Sequence, residues 1–130
     1  MRHLDTNIVI AYLRGNAGIA DKLMAHLPDI AISSLVLAEL YYGARVSTRA
    51  NENLERLKRL VEIVSVTDFN QSCAEAYGKI RSMLRQKGRP TSEIDALIAA
   101  VAIANDVVLV THNTKHYENI EGLVLEDWLG

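Results

Sequence analysis

An aspartate followed by nine consecutive apolar residues lies within the segment SEIDALIAAVAIAN, residues 92–105. Alanine is interspersed there with Leu, Ile and Val, which predicts a helix with no solvent-facing side, buried among other elements. Asp95 falls in the first turn of this helix. A carboxylate that enters a core must be protonated, paired or bound to a cation. The alternative is that Ser92 caps the helix and Asp95 completes a capping box.

The size and composition are those of a soluble globular protein. The chain has 130 residues, 49% of them hydrophobic and 23% charged, and we expect one domain spanning residues 1–130. The apolar run is too short to cross a bilayer, and the N-terminus has no signal-peptide pattern, so no membrane association is expected. Cys73 is the only cysteine, which excludes a disulfide framework and favours a cytoplasmic location.

The charge is unevenly distributed. A formal net charge of −2 argues against non-specific nucleic-acid binding through bulk charge. Ten of the fourteen Lys and Arg residues nevertheless fall between residues 45 and 89. These basic residues form either the solvated faces of two amphipathic helices or a basic rim around an acidic site.

Hydrophobic periodicity predicts short apolar strands separated by helices. The strands are expected to end near Asp5 and to lie at residues 30–32, 63–66, 107–110 and 123–125. The helices are expected after Asp5 as far as Gly15, at residues 19–27, 35–44, 51–62, 70–87 and 92–105, and as a short turn at 115–119. Gly88, with Pro90 just beyond it, is expected to end the longest helix. This order predicts an α/β fold whose parallel sheet is covered on both faces.

Three carboxylates occur in apolar surroundings far apart in the sequence: Asp5, Glu39 and Asp95. Each has its own explanation, since Asp5 can cap a helix, Glu39 can point to solvent or pair with a basic residue such as Arg45, and Asp95 can belong to a capping box. One shared cause is more economical. Clustered carboxylates repel one another unless they share protons or hold a cation, and oxygen ligands suit Mg²⁺ or Mn²⁺. Asp5 and Thr111 both follow strands, and ligands of parallel sheets bind beyond those ends.

Four motifs in a fixed order carry a family resemblance. They are LDTNIVI at the N-terminus, SSLVLAEL around Glu39, SEIDALIAAVAIA around Asp95, and VLVTHNTKHY after the fourth predicted strand, with LEDW near the C-terminus. With these motifs the chain resembles PIN-domain ribonucleases, and more closely the toxins of VapBC toxin–antitoxin pairs. The resemblance extends over essentially the whole chain.

This resemblance implies a three-layer α/β/α sandwich with a central short-stranded parallel sheet. It also implies endonucleolytic cleavage of RNA that depends on Mg²⁺ or Mn²⁺, with water as the nucleophile. By matching position, Asp5, Glu39 and Asp95 would bind the metal. Thr6, Asn7 and Thr111 would support them through hydrogen bonds. Further implications are a VapB-type antitoxin, a homodimer and a tRNA substrate, with the anticodon region of initiator tRNA as a hypothesis.

The chain departs from the family pattern after its fourth predicted strand. Many PIN domains carry a further acid there, whereas this chain has Asn113 and His116 and no carboxylate before Glu118. Asn113 could supply an oxygen to the site, and His116 could contact a phosphate or donate a proton. The departure leaves open whether a second metal ion is held.

Other functions fit less well. His112 and His116 have the spacing of a zinc pair, but the chain has neither a neighbouring cysteine nor an HExxH motif. A phosphoacceptor domain would need adjacent acids after its first strand, and a dinucleotide site would need the G-x-G-x-x-G motif. A catalytically silent PIN-like module that binds protein or RNA remains the alternative. Four aromatic residues are expected in the core or at a dimer surface: Tyr12, Tyr41, Tyr42 and Tyr77.

Overall fold

Short apolar strands alternate with helices along the chain, as the hydrophobic pattern predicts. The structure is a computed structural model that describes residues 1–89 and 91–130, so Pro90 lies outside the described residues. The described residues form five strands: β1 (Arg2–Leu4), β2 (Ile30–Ser33), β3 (Ser65–Thr67), β4 (Val108–Val110) and β5 (Leu125–Glu126). They also form six α-helices: α1 (Thr6–Leu13), α2 (Ala17–His26), α3 (Ser34–Val46), α4 (Ala50–Ile63), α5 (Gln71–Lys87) and α6 (Glu93–Ala104).

The strands form one parallel sheet in the order β3-β2-β1-β4-β5. The chain moves from β1 outward to β3 and then returns to the other side of β1 for β4 and β5. Parallel crossovers are right-handed, so the helices before β3 cover one face of the sheet and those after it cover the other. The three-layer α/β/α fold is thereby confirmed. The strand order reverses between β1 and β4, which is where open parallel sheets bind ligands.

Helix α6 is the buried helix that its apolar run predicts. Ala96, Ala99 and Ala100 are fully buried, and small side chains there let the helix approach its neighbours closely. Helix α3 is more exposed than the apolar residues around Glu39 indicate. Its buried side chains are limited to one stripe, Val36, Leu40 and Ala44, while its opposite face is exposed. α3 is therefore amphipathic rather than buried all round.

Several predicted boundaries are wrong by a few residues. Helix α4 continues to Ile63, so β3 begins at Ser65. Leu27 belongs to a 3₁₀ turn, Leu27–Asp29, rather than to α2, because Pro28 interrupts helical hydrogen bonding. The last strand begins at Leu125 instead of residue 123. Gly88 ends α5 with a φ of 63°, the left-handed conformation that glycine adopts without strain. Among the described residues, no helix is long and apolar enough to cross a membrane.

His3 makes the stability of the fold depend on pH. Its ring is buried in β1, with Nε2 3.2 Å from the Thr67 hydroxyl, and burial together with the nearby N-terminal amine lowers the pKa of His3 to about 4. An unfolded histidine has a pKa of about 6.5, so on acidification the unfolded chain takes up this proton first. We expect the free energy of unfolding to fall as the pH drops from about 6.5 to about 4. Urea unfolding of the wild type and His3→Gln at pH 7 and pH 5 measures this, and an equal pH dependence in both would contradict it.

Candidate active site

Asp5 lies at the centre of a hydrogen-bond network between β1 and α1. The residue is buried, with only 5% of its surface exposed. Oδ1 accepts the backbone N–H of Thr6 at 2.9 Å and so caps α1. Oδ2 accepts hydrogen bonds from the hydroxyls of Thr111 at 2.8 Å and Tyr117 at 2.9 Å, and lies 3.4 Å from Asn7 Nδ2. Asp5 is therefore a helix cap that also joins α1 to the segment after β4.

Asp95 faces this network from the first turn of α6. Its backbone N–H donates to Ser92 Oγ at 3.2 Å, which is the capping bond expected from the sequence. Its carboxylate is engaged elsewhere, with Oδ1 3.2 Å from the Tyr117 hydroxyl and Oδ2 3.4 Å from His116 Nδ1. The Asp95 side chain is 20% exposed, so one side of the carboxylate is open to solvent. The helix cap alone does not account for this carboxylate.

Glu39 joins the network through Thr6. It lies in the middle of α3 and is half-buried, and its Oε1 accepts the Thr6 hydroxyl at 2.8 Å. Thr6 thus contacts two acids, since its backbone N–H bonds Asp5 and its hydroxyl bonds Glu39. A solvent-pointing Glu39 is excluded by this contact, and its bonded partner is Thr6 rather than Arg45.

The loop after β4 is fastened to α1 by Asn7. The side-chain oxygen of Asn7 accepts the backbone N–H of His112 at 2.9 Å, and its Nδ2 lies 3.3 Å from Thr111 Oγ1. Thr111 Oγ1 also accepts the backbone N–H of Asn113 at 3.1 Å. Thr111 is fully buried, whereas the side chains of Asn113 and His116 are exposed at the rim of the site.

The two histidines of the possible zinc pair have different partners. His112 Nδ1 lies 3.2 Å from Asp127 Oδ2, whereas His116 is beside Asp95. Within residues 1–89 and 91–130, no three His, Cys, Asp or Glu side chains lie close enough together to form a complete, preformed set of metal ligands. The geometry gives no support to a zinc site.

Tyr117 is a member of the site that sequence pattern alone does not single out. The residue is 1% exposed, and its hydroxyl lies between Asp5 and Asp95. Burial, followed by the charges of these two carboxylates, raises the pKa of Tyr117, so the hydroxyl stays neutral and keeps its hydrogen. A buried tyrosine needs a hydrogen-bond partner, which is the signal that could have directed attention to this residue.

The donor chemistry fits a hydrated divalent cation. Asp5 and Asp95 each contact the one hydroxyl of Tyr117, and two carboxylates this close repel each other unless a proton or a cation compensates. The three acids and the neighbouring Thr and Asn side chains present oxygen atoms, the donors that Mg²⁺ and Mn²⁺ prefer. Mg²⁺ keeps several waters and binds through one or two carboxylates, so it does not require a closed cage.

Comparison with known proteins assigns the chain to a family. The PIN domain matches residues 3–122. Ribonuclease VapC2 from Rickettsia felis is 38% identical over 128 residues, covering 96% of each chain. The tRNA(fMet)-specific endonuclease VapC from Shigella flexneri is 35% identical over 126 residues, again covering 96% of each chain. The DNA-bound VapBC structure from Salmonella typhimurium matches with a TM-score of 0.94 and 33% identity, covering 98% of this chain and 97% of that one.

These matches confirm the family expected from the four motifs. They span nearly the whole of each relative, so the likeness is not confined to one motif or one segment. PIN-domain nucleases depend on a metal ion, which agrees with the oxygen-rich, carboxylate-lined site. The chain belongs to the PIN-domain family and, within it, to the VapC ribonucleases.

Proposed function

We propose that this protein is an endoribonuclease toxin that hydrolyses tRNA and holds its divalent cation with Asp5, Glu39 and Asp95. The observation that carries the proposal is the meeting of the buried Asp5 with Asp95 at the switch point of the sheet, through the shared Tyr117 hydroxyl. A buried carboxylate beside a second, partly exposed one is costly to a fold without a compensating charge, so the pair is best explained by a bound cation.

The protein side chains would divide the work as follows. When bound, Mg²⁺ or Mn²⁺ supplies Lewis-acid chemistry, since it lowers the pKa of water and stabilises negative charge that develops on a phosphate. Thr6 and Thr111 hold the carboxylates of Glu39 and Asp5 in place through hydrogen bonds of 2.8 Å each. His116, which is 56% exposed beside Asp95, is placed to contact a phosphate or to donate a proton to the leaving oxygen.

The proposed substrate is initiator tRNA, cut in its anticodon region. The support is the relative from Shigella flexneri, whose name specifies tRNA(fMet) as its substrate. Incubating the purified protein with initiator tRNA and with several elongator tRNAs, followed by mapping of the new ends, tests this. We expect one main cut in the anticodon region of initiator tRNA, whereas equal cutting of all tRNAs would contradict the specificity.

A VapB-type antitoxin is the proposed protein partner, and the structure offers a groove for one of its segments. Apolar side chains of α1, α3 and α4 line this groove, and Glu39, Arg14 and Arg56 add charge to its walls. The Salmonella typhimurium structure is a VapBC complex, which supports a partner of this kind. Because Glu39 lies in the groove wall, a segment bound there would cover one of the three acids and block access of RNA.

Gly43 offers a position at which this antitoxin groove can be tested. A Cβ built at Gly43, which lines the groove on α3, meets no described atom within 4 Å, and the same holds for Gly78 on α5. We expect Gly43→Leu to fill the groove and weaken antitoxin binding at least about tenfold, because a misfitted core contact costs about 1–3 kcal/mol. RNA cleavage by Gly43→Leu without antitoxin is measured beside it, because Glu39 lies one helical turn away in the same groove wall.

Titration of the antitoxin into a cleavage assay measures the effect, and Gly78→Leu is the matched control. Neutralisation of Gly43→Leu at the wild-type antitoxin concentration would show that the antitoxin binds elsewhere.

The proposed assembly also includes a toxin homodimer in the cytoplasm. Light scattering of the antitoxin-free protein tests the dimer.

A further inference from the structure

The Tyr117 hydroxyl has one hydrogen and two carboxylate neighbours. Its oxygen is 2.9 Å from Asp5 Oδ2 and 3.2 Å from Asp95 Oδ1. A phenol donates one hydrogen bond, so Tyr117 can donate to either acid but not to both at once. The two acids come from different elements, the β1–α1 junction and the first turn of α6. Tyr117 is therefore the direct link between them.

We propose that Tyr117 is a positioning residue that fixes the separation of the Asp5 and Asp95 carboxylates and so prepares them for a divalent cation. This inference rests on the proposed function, because it assumes that these two acids bind the cation. Tyr117 itself need not touch the cation or the RNA. Its role is to hold the two carboxylates in their binding positions in the cation-free protein. Without this contact, the repulsion between their negative charges would move them apart.

The surroundings of Tyr117 suit it to this role. Its ring is fully buried, and its backbone is held on both sides, since its N–H donates to the Thr114 carbonyl and its own carbonyl accepts the N–H of Ile120, each at 3.1 Å. A ring anchored in this way places its hydroxyl at a defined point. A side chain that orients a metal ligand through a hydrogen bond can do so only if its own position is fixed by the surrounding structure.

Packing alone does not account for the hydroxyl. A phenylalanine would fill the same space, and a buried hydroxyl costs free energy unless it is bonded. Asp5 is already satisfied by Thr6, Thr111 and Asn7, so it does not depend on Tyr117 for a partner. What the hydroxyl adds is the connection to Asp95, which no group that bonds only Asp5 provides.

The test compares Tyr117→Phe with Tyr77→Phe in antitoxin-free, RNA-free protein. Tyr77 is the matched control because its hydroxyl is also bonded, by Arg81 Nη1 at 3.1 Å, but lies on α5 outside the site. Binding of Mn²⁺ is measured by isothermal titration calorimetry, and thermal unfolding in EDTA verifies that both variants fold. We expect the dissociation constant for Mn²⁺ to rise about tenfold or more in Tyr117→Phe and to stay unchanged in Tyr77→Phe.

A second readout separates positioning from general damage. The Mn²⁺ concentration that gives half-maximal RNA cleavage should rise about tenfold in Tyr117→Phe, while excess Mn²⁺ restores the rate to near the wild-type value. Damage to folding would not be reversed by Mn²⁺ in this way. Unchanged Mn²⁺ affinity in Tyr117→Phe, with a wild type that binds Mn²⁺, would overturn the inference and leave the proposed function intact. A wild type that does not bind Mn²⁺ would overturn both.

Discussion

Asp5→Asn is expected to lower the rate of RNA cleavage at least about a thousandfold, because it removes a negative charge worth several kcal/mol from the proposed cation site. Asparagine caps helices as well as aspartate does, so α1 keeps its start. The amide has one oxygen only, however, and Asp5 receives donors at both of its oxygens, from Thr6 on one side and from Thr111 and Tyr117 on the other. We also expect a loss of stability of about 1–3 kcal/mol, the cost of an unsatisfied buried donor.

Single-turnover cleavage of tRNA measures the first effect and urea unfolding the second. Asp21→Asn is the matched control, since Asp21 is an exposed aspartate on α2 and its change should alter neither quantity. Growth inhibition on expression in cells should disappear with Asp5→Asn and persist with Asp21→Asn. A folded Asp5→Asn protein that cleaves within about tenfold of the wild-type rate would contradict the role of Asp5 as a cation ligand.

Glu39→Gln is expected to lower cleavage at least about a hundredfold with little change in stability. The bond from the Thr6 hydroxyl to Glu39 can be kept, because a glutamine side-chain oxygen accepts a hydrogen bond as a carboxylate does. Only the charge is lost. This variant therefore distinguishes a role of Glu39 in the cation site from a role limited to the hydrogen bond with Thr6.

The comparison for Glu39→Gln is Glu55→Gln, an exposed glutamate on α4. The free energies of unfolding of both variants should lie within about 0.5 kcal/mol of the wild-type value, as is usual for changes that leave packing intact. Calorimetry with Mn²⁺ should show weaker binding for Glu39→Gln alone. Equal Mn²⁺ affinity and equal cleavage in Glu39→Gln and Glu55→Gln would remove Glu39 from the site.

Much of the fold follows from periodicity in the sequence. Apolar strands separated by helices require a parallel sheet with both faces covered, and the all-apolar run of α6 requires burial. Strand boundaries were harder to predict because β3 has three residues and β5 has two, too few to establish a period. The exposed face of α3 was missed for another reason. Apart from Gly43 and Arg45 its residues are apolar or aromatic, so hydropathy hardly distinguishes the exposed side of α3 from its buried stripe.

The site was partly predictable from where its residues fall along the chain. Asp5 and Thr111 follow neighbouring parallel strands, so their proximity could be inferred from the order of the elements. The contact between Glu39 and Thr6 depends on how α3 packs beside α1, which no local pattern encodes. The role of Tyr117 cannot be predicted in this way, because a tyrosine in a sequence predicts burial at most. Its bonds to two acids depend on the 3₁₀ turn Thr114–His116 that precedes it.

The most direct test is cleavage of a total tRNA pool by antitoxin-free protein in Mg²⁺, Mn²⁺ or EDTA, beside an Asp95→Asn variant. We expect cuts in one or a few tRNAs with either cation, and none with EDTA or with Asp95→Asn. Cleavage that persists in EDTA, or in the folded variant, would contradict a cation site built on these acids. A folded wild-type protein that neither cuts RNA nor binds Mn²⁺ would favour a catalytically silent PIN-like binding module instead.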